Sequence, residues 1–267
     1  MKRIYSLSTC AVIAIGAAAL QEAAAQTREL STDRPDRTES PYTVPEGKWQ
    51  LEMDVANWTH NEDAGVEVDT LAVAPFNLKY GIDANTDIQL VVAPYVRSEI
   101  SGLGPDDTVS GFGEVTVRVK HNIWGNDDGS TAFAVMPFVT FPTADDGFGG
   151  SGDVEGGVIL PLGFAIADGV GAGVMVQVNA LKDSSDDYAA EYIVSGTVSF
   201  DVTNQIGGYV ELFASKFDDI GEKTQATFDF GVTYSPEAEL QFDAGANLGL
   251  NDNTDDMQLF VGVSRRW

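Results

Sequence analysis

The chain has 267 residues, of which 41 are acidic and 15 are basic, and its formal net charge is −26. Such an acidic composition excludes binding to the phosphate backbone of nucleic acids, which depends on clustered lysine and arginine. After the first 25 residues no run of about 18 uninterrupted apolar residues follows, which argues against a helical inner-membrane protein.

Residues 1–25 have the features of a secretory signal peptide. A Lys-Arg pair at positions 2 and 3 precedes an apolar stretch, and small residues follow up to Ala25. The apolar stretch is shorter than the roughly 20 residues of a transmembrane helix, so we expect this segment to be removed on export. Cys10 is preceded by Thr9, where a lipoprotein signal has a smaller residue, so we expect neither a lipid anchor nor a disulfide framework.

Residues 26–45 form a polar segment that contains three prolines and shows no periodicity. Proline fixes the backbone, and the charged groups can form ion pairs. The segment is therefore interpreted as a periplasmic recognition arm, a plug in a lumen, or an inert tether, and these alternatives stay open. Its motif residues are Asp33, Arg34, Pro35, Asp36 and Thr38.

From residue 46 onward, apolar and polar residues alternate with a period of two. Trp49, Leu51 and Met53, for example, alternate with Gln50 and Glu52. This pattern is typical of a strand with one apolar and one polar face. Residues 46–267 are therefore predicted to form about twelve strands, which cover approximately 48–59, 67–80, 87–97, 111–124, 131–141, 154–166, 170–181, 191–202, 205–217, 224–234, 240–250 and 257–267.

The predicted connections alternate between two lengths. The short ones are 81–86, 125–130, 167–169, 203–204 and 235–239, and the longer, acidic ones are 61–67, 98–110, 143–153, 182–190, 218–223 and 251–256. Bacterial outer-membrane barrels have an even strand number, short periplasmic turns and longer external loops. The predicted fold is an all-β, closed, antiparallel up-and-down transmembrane β-barrel in the outer membrane, with both termini in the periplasm.

The last predicted strand ends on Trp267, with Leu259, Val261 and Val263 at alternate positions before it. A soluble β-sandwich would alternate in the same way, but this ending resembles the C-terminal signal that the outer-membrane assembly machinery recognises. Arg265 departs from the pattern, although its long side chain can reach the lipid headgroups. Aromatic residues near the short turns predict an interfacial girdle of Trp49, Tyr80, Phe200, Tyr234 and Trp267.

The segment STDRPDRTESPYTVPEGKWQLEMD, residues 31–54, resembles the opening of an outer-membrane family labelled "putative meta-pathway of phenol degradation", whose members are often called transporters. The similarity extends loosely through FGEVTVRVKHNIW, GDVEGGVILPLGFAI and the last strand. The resemblance implies an outer-membrane barrel and the passage of a small solute. It also implies phenolic compounds as one class of solute.

The polar phase of the strands would face the lumen, and it carries charges of both signs. Two interpretations stay open: ion pairs that fill a closed interior, or groups that line a solute path and set its selectivity. The predicted lumen-lining residues are Glu52, Asp54, Arg97, Glu114, Arg118, Lys120, Glu211, Asp229 and Asp243, with Lys79 and Arg266 in the same phase.

No catalytic, cofactor or metal site is predicted. The chain has two histidines, His60 beside the first long connection and His121 near a short turn. A hydrolase would need a serine such as Ser98 or Ser101 close to His60, and nothing singles one out. The acidic loops offer oxygen ligands for Ca²⁺ but lack EF-hand spacing, so a solvated surface is expected.

The leading functional prediction is a channel for passive or facilitated uptake of a small solute, with an apolar or aromatic compound as the candidate. A structural or adhesive barrel with a closed lumen is the runner-up, and an outer-membrane hydrolase is the third alternative. The expected partners are membrane lipid and lipopolysaccharide, the barrel assembly machinery and the solute.

Overall fold

The computed structural model describes residues 28–145, 152–183, 185–218 and 223–267. The predicted signal peptide lies outside the described residues. Within them, no helix is long and apolar enough to cross a membrane.

The described chain forms one antiparallel sheet of fifteen strands. Their bounds are β1 Trp49–Asp63, β2 Val66–Val73, β3 Phe76–Asp83, β4 Thr86–Val92, β5 Tyr95–Ser101, β6 Asp107–Gly111, β7 Val115–Trp124, β8 Thr131–Phe141, β9 Glu155–Ala167, β10 Val170–Lys182, β11 Tyr188–Asp201, β12 Ile206–Phe217, β13 Gln225–Glu237, β14 Leu240–Gly249 and β15 Met257–Arg266.

The first and last strands close the sheet into a barrel. β1 pairs with β15 from Gln50 opposite Arg266 to His60 opposite Met257. At the end of this seam the Trp49 N–H donates to the Trp267 carbonyl at 3.1 Å, and the Trp267 N–H donates to the Trp49 carbonyl at 2.9 Å. Closure pairs the backbone groups that an open sheet would leave free at its edges.

Three long strands of the barrel are each interrupted once. The interruptions separate β2 from β3, β4 from β5 and β6 from β7. β1 shows this directly, because its second half pairs with β2 and its first half with β3. Fifteen strands less three breaks leave the twelve that were predicted. Two breaks contain a proline, Pro75 and Pro94, which cannot donate a ladder hydrogen bond. β1 has a bulge at the same level, between Asp54 and Ala56.

The first long connection differs from its prediction. β1 and β2 continue to Asp63 and Val66, and only Ala64 and Gly65 join them. Both have positive φ angles, 51° and 82°, as a two-residue hairpin turn of this kind requires. The prediction of a loop over residues 61–67 is therefore wrong, because the two strands continue to a two-residue turn.

Burial in this barrel is the reverse of burial in a soluble protein. Large apolar side chains such as Val119, Val176 and Leu212 are exposed on the outer face. Soluble proteins almost never bury charged side chains fully, and outer-membrane barrels carry their apolar band outside. The largest fully buried polar side chains are Lys79, Lys120, Gln50, Gln89, Glu211, Asp87 and Asp229.

Aromatic side chains stand on the outer face near the short turns. Trp49, Phe200, Tyr234 and Trp267 are all exposed, and the ring of Tyr80 lies 4.7 Å from that of Trp49. This arrangement fits a girdle at a membrane–water interface.

Candidate functional site

Residues 28–45, the arm, lie inside the barrel, where they contact inward side chains from strands around the wall. The Arg34 guanidinium joins β1 to β14: it lies 2.6 Å from Asp54 Oδ1 and makes two hydrogen bonds, of 2.6 and 3.1 Å, to Asp243. It also sits 5.6 Å from the centre of the Phe260 ring on β15. A bidentate arginine–carboxylate pair is among the stronger polar contacts in proteins, so Arg34 fixes the arm against this side of the barrel.

Asp33 pairs with two lysine side chains, one on β3 and one on β7. Its carboxylate contacts the ammonium groups of Lys79 and Lys120, the latter at 2.6 Å, and its own N–H donates to Glu52 at 2.9 Å. Burial alone would raise the pKa of Asp33, but the two ammonium groups outweigh it and hold the pKa below its ordinary value. Asp33 therefore carries a full negative charge between two buried cations.

The next arm residues contact β12. The Arg37 N–H donates to Glu211 at 2.7 Å, and the Thr38 hydroxyl contacts the same carboxylate. The Arg37 guanidinium lies 3.5 Å from the centre of the Phe213 ring, a cation–π distance. Burial and the negative charge of Glu211 together raise the pKa of Asp36 well above its ordinary value.

The end of the arm binds β7. Glu39 forms an ion pair of 2.6 Å with Arg118, and the Asn122 side-chain amide donates to the Pro41 carbonyl at 2.9 Å. Together with Asp33 and Arg34, these contacts tie the arm to both halves of the barrel wall.

Inward glycines make room for the arm. A Cβ on Gly81 would lie 2.1 Å from the Pro45 carbonyl oxygen, and one on Gly262 would lie 2.1 Å from a nitrogen of Arg34. Neither distance is compatible with van der Waals contact. The barrel wall is therefore shaped to the arm at these two positions.

We expect Gly81→Ala to weaken the binding of the arm to the barrel wall. The new methyl group would overlap the backbone of Pro45, which cannot move aside while the arm keeps its present position. The measurement is the rate at which trypsin cuts after Arg37 in the folded barrel, which should rise severalfold. Gly196→Ala is the matched control, since the nearest atom to its Cβ would be 3.8 Å away. Equal cutting rates in the two variants would contradict the assigned seat.

Most of the predicted lumen-lining residues are buried on the inner face. Arg118 and Glu114 are half-buried there, and Asp229 lies opposite Glu211 across β12 and β13. Arg266 is also buried and binds Glu239 as well as arm carbonyl groups. The fully or nearly buried members are Glu52, Asp54, Lys79, Lys120, Glu211, Asp229 and Asp243.

Arg97 is the exception. Its neighbour Ser98 hydrogen-bonds at 2.8 Å to Thr70 on the inner face, so Arg97 points to the outer face, where it pairs with Glu99 at 2.6 Å. The break before Pro94 shifts the alternation by one residue, which is why the sequence phase placed Arg97 with the lumen residues.

The same shift corrects one detail of the hydrolase alternative. Ser98 lies on the inner face and His60 on the outer face, so these two cannot form a nucleophile–base pair. Ser101 pairs with Glu67 and stands on the outer face.

Several residues that hold the arm were not identified from the sequence, and Asp87 and Asn126 are two of them. The Val44 N–H donates to Asp87 at 2.9 Å, and the Thr43 N–H donates to Asn126 at 3.1 Å. Asp87 shares the polar phase of β4, so the alternation could have revealed it. Asn126 lies in a turn, where no periodic signal exists.

A closed twelve-strand barrel with a polar, filled interior and an apolar exterior defines a β-barrel of the outer-membrane type. The chain belongs to the family described as "Putative MetA-pathway of phenol degradation", whose model matches residues 32–267. The match starts within the arm and runs to the last residue, and it confirms the family predicted from residues 31–54.

Solved structures share this fold at low sequence identity. An outer-membrane channel from Pseudomonas putida F1 is 12% identical, with a TM-score of 0.62 over 89% of this chain and 100% of that one. The NanC porin is 12% identical, with a TM-score of 0.53 over 80% of this chain and 98% of that one. The translocator domain of the autotransporter NalP from Neisseria meningitidis is 12% identical, with a TM-score of 0.51 over 83% and 88% of the two chains. Among curated proteins, none matches the chain. Because a porin and an autotransporter share the barrel, function has to come from the site.

Proposed function

We propose that the protein is an outer-membrane channel for passive or facilitated passage of a small apolar or aromatic solute, with the arm as a plug in its lumen. In this proposal residues 1–25 are removed on export, and the short turns and both termini face the periplasm. The strand that ends at Trp267 would be recognised by the barrel assembly machinery, and the acidic loops would face lipopolysaccharide.

The observation that carries the proposal is the division of the inner wall into two unlike halves. The charged half, on β1, β3, β7 and β14, pairs with the arm. The other half, on β8 to β12, carries a buried apolar cluster of Met136, Ile159, Met175, Ile193 and Phe213, and Glu211 is the one buried charged side chain among its described residues. Apolar side chains with a few polar groups are the usual lining of sites for small organic molecules, and methionine adapts well to aromatic rings.

The arm lies directly on this apolar cluster. The Glu39 N–H is 3.5 Å from the Met175 sulfur, and Arg37 covers Phe213. Beside the arm, a cavity of about 550 Å³ runs along the inner face of β9 to β12, where Gly171 and Gly173 leave space. In the proposal this cavity, which the arm lines on one side, forms the part of the solute path nearest the short turns.

Single-channel recording in planar bilayers tests the proposal. We expect the wild-type barrel to conduct and a neutral phenolic probe to interrupt the current. Met175→Gln should shorten the interruptions severalfold without changing the conductance, whereas Met175→Leu, of similar volume and polarity, should keep them. Correctly folded wild-type protein with no conductance and no solute flux would favour the closed structural barrel, which the dense packing at Met136 also permits.

The orientation has a separate test by cysteine labelling on intact cells. A cysteine at Asp107, at the long-loop end, should react with an impermeant thiol reagent, whereas one at Asp128, in a short turn, should not. Both positions are exposed, so burial does not decide the result. Asn126 in the same turn would be a poor choice because it is 7% exposed. The reverse labelling pattern would show that the barrel is inserted the other way.

A further inference from the structure

Three side chains with metal-binding groups meet on the outer face, near the tip of the β1–β2 hairpin. His60 Nδ1 lies 3.0 Å from an oxygen of Asp69 and 3.9 Å from an oxygen of Glu67. The three possible ligand atoms all lie within 4.8 Å of one another. Among the described residues, this is the one group of three or more such side chains that meets this distance.

We propose that His60, Glu67 and Asp69 bind a divalent transition-metal ion of the Zn²⁺ type. One imidazole nitrogen and two carboxylate oxygens are ligands that Zn²⁺ accepts, with bonds of about 2.0 to 2.2 Å. Ligand atoms around such an ion are separated by about 3 to 4 Å, so the observed spacing needs little adjustment. Imidazole favours zinc, copper or nickel over Ca²⁺ and Mg²⁺, which prefer oxygen ligands alone.

The sheet holds these ligands in place. His60 and Asp69 are direct partners across β1 and β2, and Glu67 precedes Asp69 by two residues on the same face. Trp58 stacks on the imidazole, with ring centres 5.6 Å apart and planes at 23°. The tight turn at Ala64 and Gly65 fixes the register of the two strands. A site on paired strands is more rigid than one on a loop.

The local charge also favours a cation. Within the described chain, the salt bridges of Glu67 and Asp69 are both to His60, whereas the lumen carboxylates Glu52, Asp54 and Asp243 pair with lysine or arginine. Asp256 adds negative charge close by, where it accepts a hydrogen bond of 2.9 Å from the Glu62 N–H. The site lies on the outer face and so is separate from the proposed solute path.

Calorimetric titration of Zn²⁺ into the full-length protein, folded in detergent, tests the proposal. Excess Ca²⁺ in the buffer should saturate any weak sites made of loop carboxylates. We expect one equivalent of Zn²⁺ to bind the wild type, and His60→Gln or Asp69→Asn to weaken this binding at least tenfold. His121→Gln is the matched control, since it removes the other histidine of the chain and should leave binding unchanged.

Co²⁺ supplies an independent readout. A four- or five-coordinate Co²⁺ ion with a nitrogen ligand absorbs visible light, and this absorption should disappear in His60→Gln but persist in His121→Gln. Heat-modifiable migration on gels checks that each variant is folded. Absence of binding to the folded wild type, unchanged binding in His60→Gln, or loss of binding in His121→Gln would each overturn the proposal.

Discussion

Deleting residues 28–43 should raise the single-channel conductance severalfold. The arm occupies the lumen at the level of Asp33 and Arg34, which pair with Lys79 on β3 and with Asp243 on β14. Its removal exposes Lys79, Lys120 and Asp243 to water that floods the lumen. A hydrated charge costs far less than one left unpaired in a dry interior, so the barrel should stay folded.

Bilayer recordings check this result, and gel migration before and after heating checks the fold. A full-length double variant, Asp33→Asn with Arg34→Ala, covers the case in which the deletion fails to fold, because it removes the main ion pairs and keeps the chain. We expect it to conduct in longer or more frequent open events than the wild type. Folded proteins whose conductance equals that of the wild type would show that the arm does not restrict the path.

Val119→Arg should destabilise the folded barrel by about 2 to 4 kcal/mol, the cost of an arginine on the lipid face near the bilayer midplane. Val119 is exposed on the outer face and pairs with Ile88, which is also exposed. Trp124, an exposed aromatic residue where β7 ends at a short turn, marks the membrane interface on this strand. Val119 lies five residues before it, which is about 16 Å along a strand, or about 12 Å along the membrane normal at a tilt of about 40°. That height is near the middle of an apolar band of about 25 Å.

Unfolding in urea, followed by the loss of the heat-modifiable form, measures this cost. Thr116→Arg is the matched control on the same strand: Thr116 faces the lumen and hydrogen-bonds to Thr140 at 2.8 Å. An arginine there can reach water in the lumen, so its cost should be well below that of Val119→Arg. Equal destabilisation by the two changes would contradict the assignment of inner and outer faces.

The barrel and its two faces could be predicted from the sequence, because alternation is a local signal that repeats in every strand. Val119 and Lys120, for example, follow each other in the sequence and point to opposite faces in the structure. The number of strands, twelve, could also be predicted from the sequence, because short and long connections alternate along it. These features depend on neighbours within a few residues, which the sequence displays directly.

The strand breaks could have been predicted from the sequence, but they were not. Pro75 and Pro94 lie inside segments that alternate, and proline within a strand pattern signals an edge, a bulge or a break. Because the alternation was extended through Pro94 without a break, Arg97 was assigned to the wrong face. A one-residue shift exchanges the two faces of everything beyond it.

The contacts that hold the arm inside the barrel could not be predicted. Arg34 and Asp243 are 209 positions apart, and neither residue carries a local sign of the other. Pairing requires the barrel diameter, the strand order and the path of the arm together. The sequence offered charges of both signs, and only the fold decides which pairs form.

The position of the arm also sets an order for assembly. Arg34 needs Asp54 on β1 and Asp243 on β14, and these strands stand on either side of β15 only after the two ends of the sheet have joined. The segment that leaves the ribosome before every strand therefore gains its complete set of partners last. Until then its charges, and those of the wall, remain in water, so the half-built sheet avoids the cost of burying them.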